Sequence, residues 1–167
     1  EAFFADLSRR GLITARSLRL MTVSVRPGQP NGAASSFLSG MIREPLQGEN
    51  ANVPVNPELC VVLNSPDGAV AGLRHAGAAS DDVWGGPRGV NLPGISVTVG
   101  EMAAALTAIG GADVAARLSW ERDETIERIV TSWPAKVASQ RAAGIGFADD
   151  KPFIETVRDF AATVNRR

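Results

Sequence analysis

The chain has 167 residues, is 44% hydrophobic and carries a formal net charge of −1. This length and apolar content suffice for about one domain with a sizeable core. Because the charge is nearly balanced, nothing suggests nucleic acid or an anionic membrane surface as a partner. The apolar runs are far shorter than the roughly 18 residues of a membrane span, and no charged-then-apolar leader opens the chain. We therefore expect a soluble cytoplasmic protein.

The cysteine and histidine content argues against two kinds of site. A single cysteine excludes an internal disulfide, and Cys60 lies in the apolar run 60–63, which favours an inert buried thiol over a nucleophile. His75 is the only histidine and no Gly-x-Ser-x-Gly elbow accompanies it, so we do not expect it to be catalytic. With one histidine and one cysteine, we do not expect a metal site.

The first part of the chain predicts a helix, a strand and a loop. Residues 1–10 are predicted to be the C-terminal end of a helix. Three apolar residues share one face, and Gly11 can adopt the left-handed conformation that often terminates helices. Residues 18–25 are apolar on both alternating faces, which is typical of a parallel strand covered on both sides. Residues 26–31 contain two prolines, which donate no amide hydrogen bond and end the ladder. Open α/β sheets bind ligands at such loops, so this segment is predicted to form the floor of a binding site.

The remaining chain alternates helices with short strands. Ser65, Pro66 and Asp67 predict a helix start, and Thr98 with Glu101 predicts a capping box. In order, we predict a helix capped by Asn31 and stopped by Pro45, a strand at 58–63, a helix from Ser65 with Val70, Leu73 and Ala76 facing the core, a strand at 90–92, a helix at 101–109, an amphipathic segment at 123–130 and a final helix from Pro152.

The predicted strands are too few for a complete parallel sheet. Only residues 18–25 are predicted to be fully buried, and a strand of that kind needs neighbours on both sides. The fold class is therefore predicted to be α/β. The pattern is typical of the C-terminal portion of a larger α/β protein.

Four stretches of the chain resemble one known family. They are EAFFADLSRRG (1–11), SLRLMTVSVRPGQPNGAASSFLSGMIREPLQGE (17–49), VNLPGISVTVGEMAAAL (90–106) and IVTSWPAKV (129–137). These stretches resemble the extended short-chain dehydrogenase/reductases, part of the NAD-dependent epimerase/dehydratase superfamily. The resemblance is most specific at residues 26–37 and 43–46. It implies the C-terminal part of a Rossmann-type NAD(P)-binding fold plus a small substrate-binding lobe.

The catalytic pair of that family is absent from this chain. Members bind NAD on a glycine-rich turn after their first strand and carry a Tyr-x-x-x-Lys pair on the helix before the buried strand. This chain has no tyrosine, no glycine before Gly11, and lysine only at positions 136 and 151. The tyrosine would be the general acid/base, so we assign no catalytic residue and expect the chain alone to be inactive. By the same resemblance, residues 1–30 would hold the last helix end and the buried strand, and residues 31–167 the substrate-binding lobe, with a returning strand near 88–92.

The resemblance also implies where the cofactor lies. In extended relatives the backbone just after the position of Arg19 runs beside the nicotinamide, which assigns NAD contacts to Leu20, Met21 and Thr22. Met21 stands where the dehydrogenase branch usually has proline. Leu20 and Met21 are also expected to be core residues, so any cofactor contact would come from their backbone.

Four residues are assigned to the substrate: Arg26, Asn31, Ser35 and Ser36. A guanidinium can form two hydrogen bonds to a carboxylate, while amide and hydroxyl groups form hydrogen bonds with substrate hydroxyls. This combination suits a small sugar acid. Each residue also has a purely structural interpretation. Arg26 can brace a loop, Asn31 can cap a helix, and the two serines can be solvated helix residues.

Three functions remain open from the sequence. The first is the substrate-binding portion of an NAD-dependent dehydrogenase that oxidises the C2 hydroxyl of a small sugar acid. Leu59 and Cys60 stand where nucleotide-sugar relatives usually carry an arginine, which favours this smaller substrate over the second function, a nucleotide-sugar epimerase or dehydratase. The third is a non-catalytic module that pairs an exposed strand with another chain. Expected partners are the N-terminal portion of the same fold and, by analogy, a second copy in a homodimer.

Overall fold

The computed structural model describes residues 1–29, 31–86 and 88–164, so Pro30 of the predicted turn lies outside the described residues. The helices are α1 (Ala2–Arg9), α2 (Ser36–Leu46), α3 (Pro66–Ala78), α4 (Asp81–Trp84), α5 (Val99–Gly110), α6 (Ala112–Ala115), α7 (Glu124–Thr131), α8 (Gln140–Ile145) and α9 (Phe153–Val164). The strands are β1 (Leu18–Arg19), β2 (Thr22–Val23), β3 (Ala51–Asn52), β4 (Cys60–Asn64), β5 (Val90–Asn91), β6 (Ile95–Thr98) and β7 (Leu118–Ser119). Among these helices, none is long and apolar enough to cross a bilayer.

The strands of the described residues pair in three small sheets. β1 runs parallel to β5, with Leu18 opposite Val90. β2 runs parallel to β4, with Thr22 opposite Leu63, and β4 is antiparallel to β6. β3 and β7 form a further parallel pair. The predicted α/β class is confirmed.

Residues 18–25 form the predicted strand only in part. Leu20 and Met21 separate β1 from β2, and Leu20 is 40% exposed. Burial is complete only near the end of the segment, at Ser24 and Val25. The prediction of one strand covered on both sides is therefore wrong for the described residues. The apolar pattern of residues 18–25 is typical of a strand covered on both faces, but the described residues do not cover both faces.

Two hydrophobic clusters form the interior. The larger one joins α2, α5 and α9 to the β2–β4–β6 sheet, and its fully buried side chains include Leu38, Met41, Ile42, Leu63, Met102, Leu106 and Val157. The smaller one gathers Ala76, Trp84, Val90, Leu92, Ala142, Ile145 and Phe147 around β5. The predicted final helix is present as α9, and it buries one apolar face formed by Phe153, Val157 and Phe160.

Two predicted helix starts are confirmed by their caps. The Ser65 hydroxyl accepts a hydrogen bond from the Gly68 amide at the start of α3. At the start of α5, Thr98 Oγ1 accepts from the Glu101 amide at 3.1 Å, and the Glu101 carboxylate accepts from the Thr98 amide at 2.7 Å. The bond from the Thr98 amide is the main reason that the pKa of Glu101 is lowered.

The boundaries of α2 differ from the prediction. Its N-cap is Ser35 and not Asn31, and Pro45 lies inside the last turn and not beyond it. Asn31 Oδ1 instead accepts a hydrogen bond from the Ala33 amide, which closes a short turn before the helix. Pro45 is buried, so packing against the core outweighs its poor fit to a helix interior.

The core face of α3 also differs from the prediction. Val70 and Leu73 are 56% and 53% exposed, and the buried residues are Ala69, Gly72 and Ala76. The helix approaches its neighbours so closely that only small residues fit on this face. A Cβ atom at Gly72 would lie 2.4 Å from Leu92 Cδ1.

Three other features were not anticipated. Cys60 is only partly buried, with its Sγ 3.7 Å from the Ala135 carbonyl oxygen, so the prediction of a buried thiol is wrong in its degree of burial. β6 and α8 were not predicted from the sequence, because segments this short lack the length that reveals periodicity.

Close packing at Gly68 predicts an asymmetric response within α3. A Cβ atom at Gly68 would lie 2.5 Å from Asp150 Oδ2, and that carboxylate is held by the Ser65 amide and hydroxyl. Gly68→Ala should therefore lower the free energy of unfolding by about 1–3 kcal/mol. Gly77, in the same helix, has no neighbouring atom within 4 Å of its Cβ position. Gly77→Ala should raise stability by about 0.5–1 kcal/mol. Urea unfolding of both variants checks this, and equal midpoints would contradict it.

Candidate functional site

A cleft opens beside the segment that carries β1 and β2. It has a volume of about 500 Å³ and is bounded by this segment, by β4 and by residues 133–138. We call it the strand cleft. Its lining residues are Arg19, Leu20, Met21, Thr22, Val61, Val62, Asn91, Trp133, Pro134, Lys136, Val137 and Ala138.

The side-chain amide of Asn64 holds the floor of the strand cleft. Asn64 ends β4 and is completely buried. Its Oδ1 accepts a hydrogen bond from the Met21 amide at 2.9 Å, and its Nδ2 donates to the Pro93 carbonyl at 2.7 Å. Met21 lies between the two short strands, so Asn64 supplies the hydrogen bond that a continuous ladder would have provided.

Asp150 fixes Asn64 and the start of α3 together. Its Oδ2 accepts from the Ser65 amide at 2.7 Å and from Asn64 Nδ2 at 3.3 Å, and its Oδ1 accepts from the Ser65 hydroxyl at 2.6 Å. Gly94 completes the arrangement, because a Cβ atom there would lie 2.8 Å from both the Leu63 carbonyl oxygen and Met21 Cγ. The position of Met21 therefore depends on residues from three distant parts of the chain, around positions 64, 94 and 150.

Two cations line the strand cleft. The Arg19 guanidinium donates to both carboxylate oxygens of Glu1, with Nε 2.6 Å from Oε1. This hydrogen-bonded pair raises the pKa of Arg19 and lowers the pKa of Glu1. Lys136, by contrast, is exposed and forms no ion pair with any residue that the structure describes. The strand cleft thus presents one neutralised and one available positive charge, which favours an anionic ligand.

The structure brings together the three residues assigned to the cofactor. Leu20, Met21 and Thr22 all line the strand cleft. The Met21 amide is already bonded to Asn64, so Met21 can offer a ligand its carbonyl but not its N–H. Leu20 is exposed and lines the strand cleft together with the apolar residues Trp133, Pro134 and Val137. An apolar wall beside a free cation fits one face of a planar ring that carries an anionic group.

Arg26 lies beyond the strand cleft with its backbone held at both ends. Its amide donates to Ser39 Oγ at 3.2 Å, and its carbonyl accepts from Arg43 at 3.0 Å. Arg43 is only 4% exposed and forms a buried ion pair with Glu44. The Arg26 guanidinium is exposed and makes no hydrogen bond or ion pair within the part of the chain that the structure describes. The loop is therefore fixed while its charged group stays available to a ligand.

The other residues assigned to the substrate lie around the turn before α2. The Asn31 amide donates to Ser36 Oγ at 3.2 Å, and Ser35 is the N-cap of the helix without a side-chain cap bond. None of Arg26, Asn31, Ser35 and Ser36 lines the strand cleft. Their role in substrate binding stays a prediction.

Sequence reasoning missed three residues of this region. Lys136 lies in the stretch IVTSWPAKV, which resembles the family, and is one of only two lysines. Asn64 is the polar residue at the end of the apolar run 60–63, and this position could have indicated a structural or functional role. Nothing in the sequence around Asp150 indicates its partners, because Asn64 and Ser65 lie far away along the chain. Within the described residues, no group of three or more histidine, cysteine or acidic side chains could hold a metal ion.

Comparison with known proteins assigns the class of this fold. The chain superposes on the crystal structure of the nucleoside-diphosphate-sugar epimerase from Agrobacterium tumefaciens with a TM-score of 0.88 and 36% identity, covering 93% of this chain and 46% of that one. The fold is therefore that of the Rossmann-type epimerases and dehydrogenases, as the resemblance implied. No protein family model matches the chain.

More particular relatives are two D-erythronate dehydrogenases. The chain is 49% identical to the enzyme of Cupriavidus necator and 40% identical to that of Haemophilus influenzae, over 96% of its own length in both cases. It spans about half the length of each, 49% and 51%. The chain is thus homologous to part of an extended short-chain dehydrogenase/reductase, and the predicted resemblance is confirmed.

The buried amide of Asn64 leads to a pH-dependent prediction. Asn64→Asp would introduce a carboxyl group beside Asp150, and the pKa of that introduced group would rise above its ordinary value of about 3.9. Below about pH 4 the protonated group can still donate to Pro93 and loses only the longer bond to Asp150, so the variant should be close to the parent in stability. As the pH rises, charge repulsion should remove stability, reaching about 3 kcal/mol at neutral pH. Chemical unfolding of both proteins at each pH measures the difference.

Asn52→Asp is the matched control. Asn52 is exposed and uses its amide in the same way, donating to the Glu121 carbonyl and accepting from the Glu121 amide, each at 2.8 Å. Its loss should be about 1 kcal/mol or less and nearly independent of pH. A deficit at Asn64 that does not grow with pH would contradict the role given to its amide.

Proposed function

We propose that this chain is the substrate-binding portion of an NAD-dependent dehydrogenase that oxidises the C2 hydroxyl of a small sugar acid such as D-erythronate. The observation that carries the proposal is the 49% identity to a D-erythronate dehydrogenase over 96% of the chain. In this proposal, residues 1–30 complete a Rossmann-type sheet and residues 31–167 form the substrate lobe. The general acid/base pair would come from the N-terminal portion of the fold.

The strand cleft is the proposed place for the nicotinamide end of the cofactor. When bound, NAD supplies the hydride acceptor for the oxidation. Leu20 and Trp133 offer an apolar surface for a planar ring, and the Met21 carbonyl offers an acceptor for a carboxamide N–H. Lys136 offers a positive charge to a phosphate or a carboxylate. The Asn64–Asp150 interaction keeps the Met21 carbonyl in one orientation, which favours binding by removing conformational freedom beforehand.

The loop after β2 is the proposed place for the acid. Arg26 has a fixed backbone and a free guanidinium, the combination that allows a bidentate bond to a carboxylate. Asn31, Ser35 and Ser36 lie in the segment that leads into α2. Their amide and hydroxyl groups can form hydrogen bonds with the hydroxyl groups of a substrate. This arrangement supports a short polyhydroxy acid over a ligand that needs a deep apolar pocket.

A nucleotide-sugar epimerase is the second candidate. The superposition on an enzyme of that kind at 36% identity favours it. Leu59 and Cys60, at the start of β4, offer no cation for a diphosphate. Titration calorimetry with a UDP-sugar separates the two functions, because only the epimerase should bind it tightly.

The assembled enzyme provides the direct test. This chain, joined to the N-terminal portion of its own fold or to that of the Cupriavidus necator relative, should reduce NAD in the presence of D-erythronate. Absorbance of NADH at increasing acid concentration measures the reaction. Circular dichroism and elution volume confirm that the assembly is folded. A folded assembly that gives no NADH with any four-carbon sugar acid would remove the proposal.

Lys136 allows a more local test. Lys136→Gln removes the available charge of the strand cleft and should raise the KM for NAD or the acid about three- to ten-fold, as expected for the loss of about 1 kcal/mol. The kcat should change little, because the residue contacts no reacting atom. Lys151→Gln is the control: Lys151 is the other lysine and forms ion pairs with Asp67 and Asp159 outside the strand cleft. Equal KM values in both variants would count against the assignment of Lys136.

A further inference from the structure

Asn31 is the only asparagine of the sequence that is followed by glycine. It lies in the loop between β2 and α2, and both Asn31 and Gly32 are exposed. The backbone nitrogen that follows an asparagine can attack the side-chain amide carbon, provided that no bulky side chain hinders the approach. Glycine allows this approach because it lacks a Cβ atom. The structure locates the groups that would take part in such a reaction.

The backbone nitrogen of Gly32 is available as the attacking atom. Its N–H donates to no acceptor within residues 1–29, 31–86 and 88–164. A Cβ atom placed on Gly32 would have no neighbouring atom within 4 Å, so the space around this residue is open. Glycine also permits the backbone rotation that a five-membered ring requires. Neither a hydrogen bond nor crowding therefore holds this nitrogen away from the Asn31 side chain.

The side-chain amide of Asn31 is activated by the turn that contains it. Its Oδ1 accepts a hydrogen bond from the Ala33 amide at 3.0 Å. During cyclisation negative charge develops on this oxygen, so the Ala33 N–H already lies where it can stabilise that charge. The Nδ2 group, which would leave as ammonia, donates to no acceptor in the part of the chain that the structure describes. The Asn31 amide donates to Ser36 Oγ, which anchors the loop at the start of α2.

Two other exposed asparagines lack this combination. Asn50 is followed by Ala51, whose N–H is already used in a hydrogen bond of 3.0 Å to the Arg117 carbonyl. Asn56 is followed by Pro57, which has no N–H to lose. Asn50 is therefore a suitable internal comparison for Asn31, because it is equally open to solvent but its neighbouring nitrogen is held in place.

We propose that Asn31 deamidates spontaneously and that this modification weakens binding of the sugar acid. The Gly32 nitrogen forms a bond to Asn31 Cγ and loses its proton, the Cγ–Nδ2 bond breaks, and Nδ2 takes up a proton and leaves as ammonia. Solvent water then opens the cyclic imide at either carbonyl, which gives aspartate or isoaspartate at position 31. The first part of the proposal is independent of the proposed function, and the second part rests on it.

The two products differ in their effect on the loop. Aspartate keeps an oxygen that can accept from the Ala33 amide, so the turn persists with a new negative charge. Isoaspartate adds one carbon atom to the main chain, which separates the Ala33 amide from its acceptor and opens the turn. Both products place a negative charge in the loop that carries Arg26, and this charge repels an anionic substrate.

Peptide mass spectrometry of the full chain tests the chemistry. The folded chain is incubated in mildly alkaline buffer and digested at intervals, and conversion of amide to acid is followed at each asparagine. Asn31 should convert at least about ten-fold faster than Asn50, and Gly32→Ala should slow its conversion by about ten-fold. Alanine fits at position 32 and gives Asn31 the same following residue as Asn50.

Circular dichroism during the incubation confirms that the parent and Gly32→Ala chains stay folded. The first part of the proposal is overturned if Asn31 converts no faster than Asn50 in the folded chain. An unchanged rate in Gly32→Ala would overturn it as well, because the attack would then not depend on the open approach that glycine gives.

Steady-state kinetics of the assembled enzyme test the consequence for binding. Asn31→Asp should raise the KM for the acid about three- to ten-fold. Asn50→Asp makes the same charge change outside the loop and should leave this KM unaltered. Equal KM values in the two variants would overturn the second part. An assembly inactive on every sugar acid would instead remove the proposed function and the second part with it, whereas the deamidation rates are measured without any activity.

Discussion

The hydrogen bonds of the buried Asn64 amide are the constraint on which the candidate site depends. β1 pairs with β5 and β2 pairs with β4, so the chain between them passes from one partner to another at Leu20 and Met21. A backbone amide left unsatisfied there would be costly. One side chain solves this by accepting from Met21 and donating to Pro93. The wall of the strand cleft is thus shaped by a single amide that Asp150 orients.

The same feature explains why the strand segment is both ordered and exposed. Its backbone is satisfied on the side of β4 and β5, while the apolar side chain of Leu20 remains open. The relatives are about twice as long as this chain, and the homologous enzymes are dehydrogenases. Under the proposed function, the remainder of such a fold would cover this surface and bring the proton-transfer groups to the strand cleft.

Positioning and recognition are carried by different residues in this protein. Asn64 and Arg43 are buried and Asp150 is half-buried, and each of the three side chains bonds to at least one backbone group. Arg26 and Lys136 are exposed and leave their charged groups available. A buried group has no freedom to meet a ligand, but it can hold a loop in one shape. An exposed charge next to that loop can then bind with less loss of conformational entropy.

The sequence by itself determined the fold class, the family resemblance and the helix starts at Ser65 and Thr98, because caps and turns depend on residues within about four positions of one another. It did not determine the burial of residues 18–25, the core face of α3 or the true cap of α2. Those follow from which surfaces meet, as the exposure of Val70 and Leu73 shows. Only the tertiary structure decided that Asn64 reaches Pro93 and Asp150, and that residues 133–138 face Met21. Hydrogen bonds between residues far apart in the chain have no local signature, since they depend on how the chain folds back on itself.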